Sequence, residues 1–466
     1  MKIEQIYTGC LAQGAYYIES EGEVAIIDPL REITPYLEKA KADNAKIKYI
    51  FETHFHADFV SGHLTLAEKT GAPIVFGPTA NPKFDAHIAT DGEVFHLGKI
   101  SIIVLHTPGH TQESAVYLLK DENGKDHAIF TGDTLFLGDV GRPDLAQKAT
   151  NMTQEQLAEM LYHSLRNKIM PLADDVIVYP AHGAGSACGK NLSKETVGTL
   201  GEQKQTNYAL NSDLTVEDFV KELTDGLMPP PAYFPENVRL NKEGYQAVEN
   251  IIAKNKAFSP AEFKQAAQEA LILDVRDAES FAKQHIPGSI FIGIDGGFAP
   301  WVGALITDIN QAIIIVAPQD RETETITRLS RVGYDNTLGY LKGGMDAWVN
   351  AGYETDSITR IDAEELAAIH AKNNNEIIID VRKPGEYSNA HLAGVPNLPL
   401  DFINLQMEEF PTTNPSYIHC AGGYRSMIAA SILKARGFHN YVDVRGGFGA
   451  IKKTNLPIEE NACSGV

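Results

Sequence analysis

Short apolar runs alternate with helical patterns through the first half of the chain. Apolar runs bounded by glycine, proline or aspartate predict β-strands, and apolar residues three or four positions apart predict helices. Strands that alternate with helices are typical of a layered α/β domain, which we place at residues 1–245. The predicted strands cover 2–7, 15–18, 23–27, 47–51, 100–105, 127–130 and 176–179, and the predicted helices cover 33–42, 61–69 and 151–168, the last after a Thr153-x-x-Gln156 capping pattern.

Four of these strands end in residue types that bind metal ions. The motif Thr53-His54-Phe55-His56-Ala57-Asp58 follows the run 47–51, and alone it would be weak support for a metal site. Because three later strands end in the same way, imidazole and carboxylate groups can converge on one ion. The sequence therefore predicts a metal site. The later motifs are Pro108-Gly109-His110, Thr131-Gly132-Asp133 and Pro180-Ala181-His182-Gly183.

The composition and charge of the chain argue against several classes of function. The 466 residues suggest roughly three domains, since one hydrophobic core does not grow to that size. The formal net charge of −21 opposes binding to nucleic acid or to an anionic membrane, so small molecules are the expected partners. No apolar run reaches the roughly 18 residues that span a bilayer, and the start lacks a leader pattern, so we expect a cytoplasmic protein.

The four cysteines are too few and too scattered for a disulfide framework, so reduced thiols are expected. Cys188 lies in a glycine-rich loop after His182 and is either a thiol at the mouth of the metal site or a buried, inert residue. Cys10 is expected to be structural, and Cys463 is expected to be a solvated residue near the C-terminus.

Three successive prolines, Pro229 to Pro231, end any preceding helix and enforce an extended segment. We therefore interpret residues 211–245 as a stiff connector laid on the first domain.

An internal repeat occupies the second half, at residues 271–348 and 377–448. Asp274-Val275-Arg276 recurs as Asp380-Val381-Arg382, with a histidine at the same spacing in each copy, His285 and His391. Lys342-Gly343-Gly344 matches Arg445-Gly446-Gly447 near the end of each copy. The repeat predicts a duplicated α/β domain, with copies bounded at 246–356 and 357–466.

The two copies differ at the position expected to carry chemistry. In the second copy a strand leads to Cys420, and a glycine-rich loop with Arg425 precedes a helix from about Met427. Backbone N–H groups, the helix dipole and a guanidinium stabilise a thiolate in such a loop, which predicts a reactive nucleophile. An alignment without gaps places Val316 and Arg321 at the cysteine and arginine positions of the first copy. Because valine cannot form a covalent intermediate, this copy is predicted to be catalytically silent.

The four strand-end motifs, in this order and spacing, resemble the metallo-β-lactamase superfamily. The resemblance implies an αββα sandwich with metal in the cleft at one sheet edge. Hydrolases of that superfamily usually follow His-x-His-x-Asp with a histidine for a second metal, whereas here Phe59 stands at that position. This departure, together with residues 138–145, resembles the persulfide dioxygenase branch. Within that stretch Arg142 and Asp144 are expected to pair, either bracing the Asp133 loop or as a surface salt bridge.

The persulfide dioxygenase branch implies one Fe(II) ion per chain on His54, His110 and Asp133, with Zn as the alternative metal. Two imidazoles and one carboxylate leave coordination positions for O₂ and a sulfur substrate, as in non-haem oxygenases. The implied activity is the oxidation of a low-molecular-weight thiol persulfide to sulfite. The neighbours implied to orient ligands or substrate are His56, Asp58 and His182, with Cys188 as a further candidate.

Both copies of the repeat resemble the rhodanese fold, and the loop from Cys420 to Arg425 has the short length typical of sulfurtransferases. This resemblance implies that Cys420 takes a sulfane sulfur, holds it as Cys–S–SH and passes it to sulfite or a thiol. Arg425 would hold an anionic donor or acceptor.

The whole chain is similar to persulfide dioxygenase–rhodanese fusions, of the kind bacteria use to clear sulfide. We expect a homo-oligomeric enzyme that converts persulfide and O₂ to sulfite and thiosulfate. Two alternatives stay open: a thioester hydrolase of the glyoxalase II type fused to a sulfurtransferase, and a sulfur-relay protein with a non-catalytic first domain. No motif selects among glutathione, coenzyme A and bacillithiol as the thiol.

Overall fold

The computed structural model describes residues 1–145, 151–190, 192–372, 376–412 and 414–460. Cα packing divides the chain into two compact units, Met1–Asn250 with Ser330–Gly333, and Ile251–Leu329 with Tyr334–Val466. The division into three domains at 1–245, 246–356 and 357–466 stays a prediction. Cys463 lies outside the described residues. In the part of the chain that is described, no helix is long and apolar enough to cross a membrane.

The first unit alternates strands with helices much as the apolar pattern predicts. The predicted capping box at Thr153 is confirmed at the start of α3, which ends in a π-helical turn. The elements are β1 (Lys2–Thr8), β2 (Gln13–Ser20), β3 (Glu23–Ile27), α1 (Thr34–Ala42), β4 (Lys46–Glu52), α2 (His63–Thr70), β5 (Ile74–Phe76), β6 (His87–Ile88), β7 (Val94–Leu97), β8 (Ile100–His106), β9 (Ala115–Lys120), β10 (Asp126–Gly132), α3 (Gln154–Ser164), the π-helical turn Leu165–Ile169, β11 (Ile177–Pro180), β12 (Gly198–Thr199), α4 (Leu200–Thr206), α5 (Val216–Thr224), α6 (Phe234–Glu243) and α7 (Val248–Lys254).

Two sheets pack face to face in this unit, with strand orders β1-β2-β3-β4-β5-β6 and β12-β11-β10-β9-β8-β7. Their shared core is aromatic: Tyr16 and Phe51 from one sheet meet Tyr117 and Phe130 from the other. Helices α1 and α2 cover one outer face, and α3, α4 and α5 cover the other. This αββα sandwich confirms the predicted fold class.

Parallel strand pairing brings the predicted ligand positions to one edge of the sandwich. Ile27 of β3 lies opposite Phe51 of β4, and Phe130 of β10 lies opposite Tyr179 of β11. Because parallel strands end at the same edge of a sheet, the residues that follow β3, β4, β10 and β11 lie close together.

The segment 211–245 is more than a connector, because it contains α5 and α6. Helix α5 ends at Thr224, before the three prolines, and Pro235 stands in the first turn of α6. The prolines therefore separate two helices, as their restricted geometry predicts.

The second unit contains two parallel sheets, one for each copy of the repeat. Their strand orders are β13-β17-β16-β14-β15 and β18-β22-β21-β19, with a short β20-β23 ladder beside the second. The elements are β13 (Lys256–Phe258), α8 (Pro260–Ala266), β14 (Leu271–Asp274), α9 (Ala278–Lys283), β15 (Ile290–Phe291), α10 (Phe298–Leu305), β16 (Ile313–Val316), α11 (Glu322–Arg331), β17 (Thr337–Leu341), α12 (Gly344–Asn350), β18 (Arg360–Ile361), α13 (Ala363–Lys372), β19 (Ile377–Asp380), α14 (Pro384–Asn389), β20 (Ala390–Leu392), β21 (Ser416–His419), α15 (Tyr424–Ala435), β22 (Tyr441–Val444), α16 (Gly447–Ile451) and β23 (Ile458–Glu460).

The repeated motifs make the same contacts in both copies. The motif arginine donates to the motif aspartate, Arg276 to Asp274 at 2.7 Å and Arg382 to Asp380 at 2.6 Å. The matched histidine donates from Nδ1 to a backbone carbonyl four residues earlier, at 2.9 Å in each copy. These paired contacts confirm the duplication.

Strand register corrects the alignment of the active loop between the copies. Asp274 pairs with Val316 in the first copy, whereas Asp380 pairs with His419 in the second. Val316 therefore corresponds to His419, and the prediction that it occupies the cysteine position was wrong. Ala317 stands there instead, and because its methyl group is no nucleophile the first copy lacks the reactive thiol in either alignment.

A one-residue difference in loop length explains the misalignment. Helix α11 begins at Glu322, five residues after Ala317, and α15 begins at Tyr424, four residues after Cys420. Arg321 consequently precedes its helix, whereas Arg425 lies inside α15, so these arginines are not equivalent. Hydrogen-bonded pairing with the neighbouring strand fixes the register. An alignment without gaps cannot detect the extra residue in the loop of the first copy.

Candidate metal centre and sulfur-transfer loop

The structure brings the three predicted metal ligands together. His54 follows β4, His110 follows β8 and Asp133 follows β10, and each is at most 2% exposed. Nε2 of His110 lies 3.4 Å from Oδ2 of Asp133, and Nε2 of His54 lies 3.9 Å from the same oxygen. One ligand atom from each residue falls within 4.8 Å of the others, which is a spacing that one cation can bridge.

Hydrogen bonds to the far side of each imidazole fix its orientation. Thr53 donates from its backbone N–H and its hydroxyl to Asp28, at 2.7 and 2.8 Å, and its Oγ1 lies 3.0 Å from Nδ1 of His54. Because the hydroxyl proton points to Asp28, Nδ1 of His54 donates to Oγ1 and leaves Nε2 free. His110 donates from Nδ1 to the carbonyl of Arg142 at 2.9 Å, which frees its Nε2 as well.

A glycine permits the close approach of Asp133 to the His-x-His loop. Gly132 has φ +51°, and a Cβ atom there would lie 2.6 Å from the side chain of Thr53. Any larger residue would push the Asp133 loop away from β4. The run Thr131-Gly132-Asp133 therefore combines a ligand with the small residue that lets it reach the site.

His56, Asp58 and His182 form a second group directly beside the first. Nε2 of His182 lies 3.5 Å from Oδ2 of Asp58 and 3.5 Å from Oδ1 of Asp133. Asp133 therefore faces both groups. Cys188 joins Asp133 and His182 in a further cluster, and at 2% exposed it lines the site from inside.

Burial and neighbouring charges set the protonation of these groups. Burial, reinforced by the adjacent imidazoles of His56 and His110, lowers the pKa of His54 well below its usual range, so the ring is neutral as a metal ligand must be. Burial alone would lower the pKa of His56, but the carboxylates of Asp28 and Glu52, 3.1 and 3.4 Å from its Nε2, raise it well above that range.

The surroundings of Cys188 disfavour its thiolate form. Burial raises the pKa of Cys188 well above its usual range, and the carboxylates of Asp58 and Asp133 raise it further. Cys188 is buried and lies within ligand distance of Asp133 and His182. Its role in the reaction stays a prediction.

Arg142 and Asp144 form a paired, largely buried contact. Nε and Nη2 of Arg142 each donate to Asp144 at 2.7 Å, and the two side chains are 7% and 14% exposed. The backbone of Arg142 accepts from His110 and donates to the carbonyl of Cys188 at 3.0 Å. This pair therefore braces the site and is not an ordinary surface salt bridge.

Asn241 is a residue of this site that the sequence did not reveal. Its amide donates to the carbonyls of His56 and Phe59, each at 2.8 Å, and its Oδ1 accepts from the N–H of Ser61 at 2.8 Å. Helix α6 thus clamps the backbone of the His-x-His-x-Asp loop. No local pattern could have identified Asn241, which lies about 180 residues away; Asp28 could have been found, since it too follows an apolar strand.

Replacing Asn241 with alanine is expected to lower the affinity for a divalent metal ion about 10- to 100-fold, because three buried backbone groups lose their partners and the loop shifts. Competition with a coloured chelator measures this affinity. Arg239→Ala is the control, since Arg239 lies on the same helix with a side chain 46% exposed and should leave the affinity unchanged. Equal affinities in both variants would show that α6 does not hold the loop.

The donor set fits a cation. Within the described residues, neither oxygen of Asp133 accepts a hydrogen bond from a nitrogen or oxygen donor, and Oδ1 of Asp58 and Nε2 of His182 have no partner either. Unpaired buried carboxylates are costly, and a metal ion on these atoms would remove that cost. His54, His110 and Asp133 are thus suited to hold one metal ion.

Cys420 stands at the end of β21 inside a tight loop. The N–H of Gly423 donates to its Sγ at 3.1 Å, and the hydroxyl of Ser426 lies 3.5 Å from the same sulfur. Helix α15 begins at Tyr424 and not near Met427, so its N-terminus is closer to the sulfur than the sequence indicated. The sulfur of Cys420 therefore faces a backbone N–H, a hydroxyl and the start of a helix.

Arg425 is held beside this loop by a paired contact with Glu386. Nη1 and Nη2 donate to the two carboxylate oxygens at 2.5 and 2.8 Å. These bonds from Arg425 hold the pKa of Glu386 below its usual range. The role predicted for Arg425, holding an anionic donor or acceptor, stays a prediction.

Models of known protein families match the segments that carry the metal centre and the Cys420 loop. The family model of the metallo-beta-lactamase superfamily matches residues 8–182, and that of the rhodanese-like domain matches residues 259–351 and 362–454. The mitochondrial persulfide dioxygenase ETHE1 of Homo sapiens is 30% identical over 223 residues, which are 47% of this chain and 79% of that protein.

Two further relatives widen the comparison. The hydroxyacylglutathione hydrolase GloC of Haemophilus influenzae is 28% identical over 46% of this chain and 99% of its own length. The crystal structure of a metallo-beta-lactamase from Staphylococcus aureus subsp. aureus COL is similar with a TM-score of 0.63 and 31% identity, over 73% of this chain and 98% of that one.

Proposed function

Because the chain belongs to the metallo-β-lactamase superfamily and carries two rhodanese-like domains, we propose that it is a persulfide dioxygenase joined to a sulfurtransferase. The first activity converts a low-molecular-weight persulfide, O₂ and water to the thiol and sulfite: R–S–SH + O₂ + H₂O gives R–SH + SO₃²⁻ + 2 H⁺. The terminal sulfur is oxidised and O₂ is reduced.

The observation that carries the first activity is the buried group of two imidazoles and one carboxylate, His54, His110 and Asp133. His54, His110 and Asp133 would hold Fe(II), which would supply the redox chemistry that joins O₂ to sulfur. Thr53 orients the imidazole of His54, and the carbonyl of Arg142 orients that of His110. Asp58, His182 and Cys188 line the adjoining space, which suits them to position the persulfide.

The second activity rests on Cys420. Its thiolate attacks the sulfane sulfur of a donor, the sulfur–sulfur bond of the donor breaks, and the donor leaves as sulfite or a thiolate. Cys420–S–S⁻ then passes that sulfur to an acceptor, and the thiolate is restored. The N–H of Gly423, which now points at Sγ, stabilises the anion at each stage.

Oxygen uptake by the Fe(II)-loaded chain tests the proposal. Glutathione persulfide should start rapid uptake, with sulfite and thiosulfate together equal to the O₂ consumed. A protein that takes up no oxygen with persulfides of glutathione, coenzyme A or bacillithiol would overturn the dioxygenase assignment.

A thioester hydrolase is the second candidate, favoured by the group His56, Asp58 and His182 beside Asp133. If each of the two groups held a metal ion, the metals would supply activated water for hydrolysis. One iron per chain in the active protein supports the dioxygenase, whereas two tightly bound zinc ions with thioesterase activity would support the hydrolase. Sulfur transfer that persists with no metal-dependent activity would instead indicate a relay protein.

Replacing Phe59 with histidine is expected to raise the zinc bound per chain from about one to about two, because imidazole would complete the ligand set that the phenyl ring interrupts. The ring of Phe59 lies 4.3 Å from that of His56, so a side chain at this position faces the second group. Elemental analysis after dialysis measures the change. Phe55→His, on the same loop, is the control; two zinc ions in the wild-type chain would contradict the single-metal proposal.

A further inference from the structure

A cavity of about 430 Å³ lies in the second unit, where the two rhodanese-like domains meet. Helix α9 of the first domain contributes Glu279 and Lys283 to its wall. The second domain contributes Arg360, from β18, and Arg445, from the turn before α16. The catalytically silent copy therefore forms one side of a cavity whose other side carries two guanidinium groups.

The two arginines converge on a single carboxylate oxygen. Nη1 of Arg360 and Nε of Arg445 both donate to Oε1 of Glu279, the latter at 3.1 Å. The side chain of Glu279 is 62% exposed, so this contact resembles a surface ion pair that a ligand can displace at little cost. Arg360 is only 6% exposed and is fixed from behind by Asp443 at 2.7 Å. Two guanidiniums aimed at one oxygen are a geometry that binds carboxylates and phosphates.

Lys283 adds a third cation to the same wall. It lies one helical turn after Glu279 and therefore on the same face of α9. Its side chain lines the cavity together with Glu279. If a ligand replaces Glu279 at the two arginines, its negative charge is met by three cations.

The cavity is next to the loop that carries the sulfur. A methyl group on Gly423 would lie 3.4 Å from Nη2 of Arg360, and the N–H of Gly423 donates to Sγ of Cys420. Arg445 directly precedes Gly446 and Gly447, and a Cβ atom on Gly447 would lie 2.2 Å from the carbonyl oxygen of Cys420. Two residues of the cavity wall, Arg360 and Arg445, thus stand beside the backbone of the loop that carries Cys420.

We propose that this cavity binds the anionic end of the low-molecular-weight thiol that exchanges sulfur with Cys420. The inference rests on the proposed sulfurtransferase activity. The shared chemistry is a carboxylate or phosphate group on a small thiol, and the volume is within the range of small-molecule sites. In the exchange, the bound thiolate attacks the outer sulfur of Cys420–S–SH, the S–S bond breaks and the Cys420 thiolate leaves.

The test compares an anionic and a neutral acceptor in the full-length chain. The ratio of kcat/KM for glutathione to that for 2-mercaptoethanol should fall about tenfold in Lys283→Gln/Arg445→Gln, because the charged contacts serve only the anionic thiol. Arg445→Lys should recover part of the ratio. Lys342→Gln is the matched control, since Lys342 is the counterpart of Arg445 in the first copy and should leave the ratio unchanged. An unchanged ratio in the double variant would overturn the proposal.

Direct binding separates this inference from the proposed function and from loss of folding. Calorimetry on Cys420→Ser, with S-methylglutathione and with coenzyme A disulfide as probes, requires no catalysis. Binding of one probe that Lys283→Gln/Arg445→Gln removes would support the cavity site and show whether carboxylate or phosphate is preferred. Absence of binding for both probes would overturn it. Sulfur transfer that is absent with every acceptor in the wild-type chain would instead refute the sulfurtransferase.

Discussion

Replacing His110 with alanine is expected to lower Fe(II)-dependent oxygen uptake with glutathione persulfide more than ~100-fold, because removal of a direct ligand exceeds the loss caused by its hydrogen-bonded supports. His110 approaches Asp133 to 3.4 Å and is oriented by the carbonyl of Arg142, so alanine removes one nitrogen donor of the proposed ligand set. Iron bound per chain should fall in parallel. An oxygen electrode and elemental analysis measure the two effects.

The matched control is His163→Ala, on α3, where the histidine side chain is 55% exposed. This variant should retain both iron and oxygen uptake. Sulfur transfer from thiosulfate should persist in His110→Ala, since Cys420 lies in the other unit. Oxygen uptake that survives in His110→Ala would contradict the ligand set, whereas simultaneous loss of both activities would indicate misfolding.

Replacing Cys420 with serine is expected to lower thiosulfate–thiol sulfur transfer by on the order of 10³-fold or more, because a serine hydroxyl is a weak nucleophile and cannot carry sulfane sulfur. Oxygen uptake should be unaffected. The product of persulfide oxidation should change from a mixture containing thiosulfate to sulfite alone, since no enzyme-bound persulfide remains to react with sulfite. Separation of the sulfur anions by chromatography measures this change.

Cys10→Ser is the control for that variant, because Cys10 lies in the turn after β1 and is only partly buried. It should retain both activities and the wild-type products. If sulfur transfer persists in Cys420→Ser and is lost in Cys188→Ser, the transferring thiol has been misassigned and the metal site itself exchanges sulfur.

The two proposed activities are chemically related, which offers a reason for their fusion in one chain. The proposed dioxygenase produces sulfite, which is an acceptor for the sulfur held on Cys420, and both sites handle sulfane sulfur. The first copy of the repeat lacks the cysteine, but its helix α9 forms one wall of the proposed thiol cavity. The first copy, with Ala317 in place of a cysteine, would therefore contribute to the binding of the thiol and not to the transfer of sulfur.

The sequence by itself determined the fold class, the duplication and the residue types at the candidate sites. Apolar runs at strand and helix spacing predicted a layered α/β domain, and the resemblance of the strand-end motifs to the metallo-β-lactamase superfamily implied the αββα sandwich. His110 and Asp133 follow β8 and β10, which run in the same direction because each is antiparallel to β9, and His54 reaches them from the other sheet. Cys420 could be found because a cysteine between a strand and a glycine-rich helix start has a recognisable local environment.

Only the tertiary structure decided the residues and registers that depend on contacts distant in sequence. Asn241 clamps the metal loop from a helix that local patterns indicated only as a connector, and Asp28 orients His54 through Thr53. Ala317, and not Val316, corresponds to Cys420 because inter-strand hydrogen bonds set the register. The cavity lined by Lys283, Arg360 and Arg445 joins two copies of the repeat. Local sequence fixes backbone propensity and residue chemistry, whereas these features arise from packing between segments whose relative positions exist only after folding.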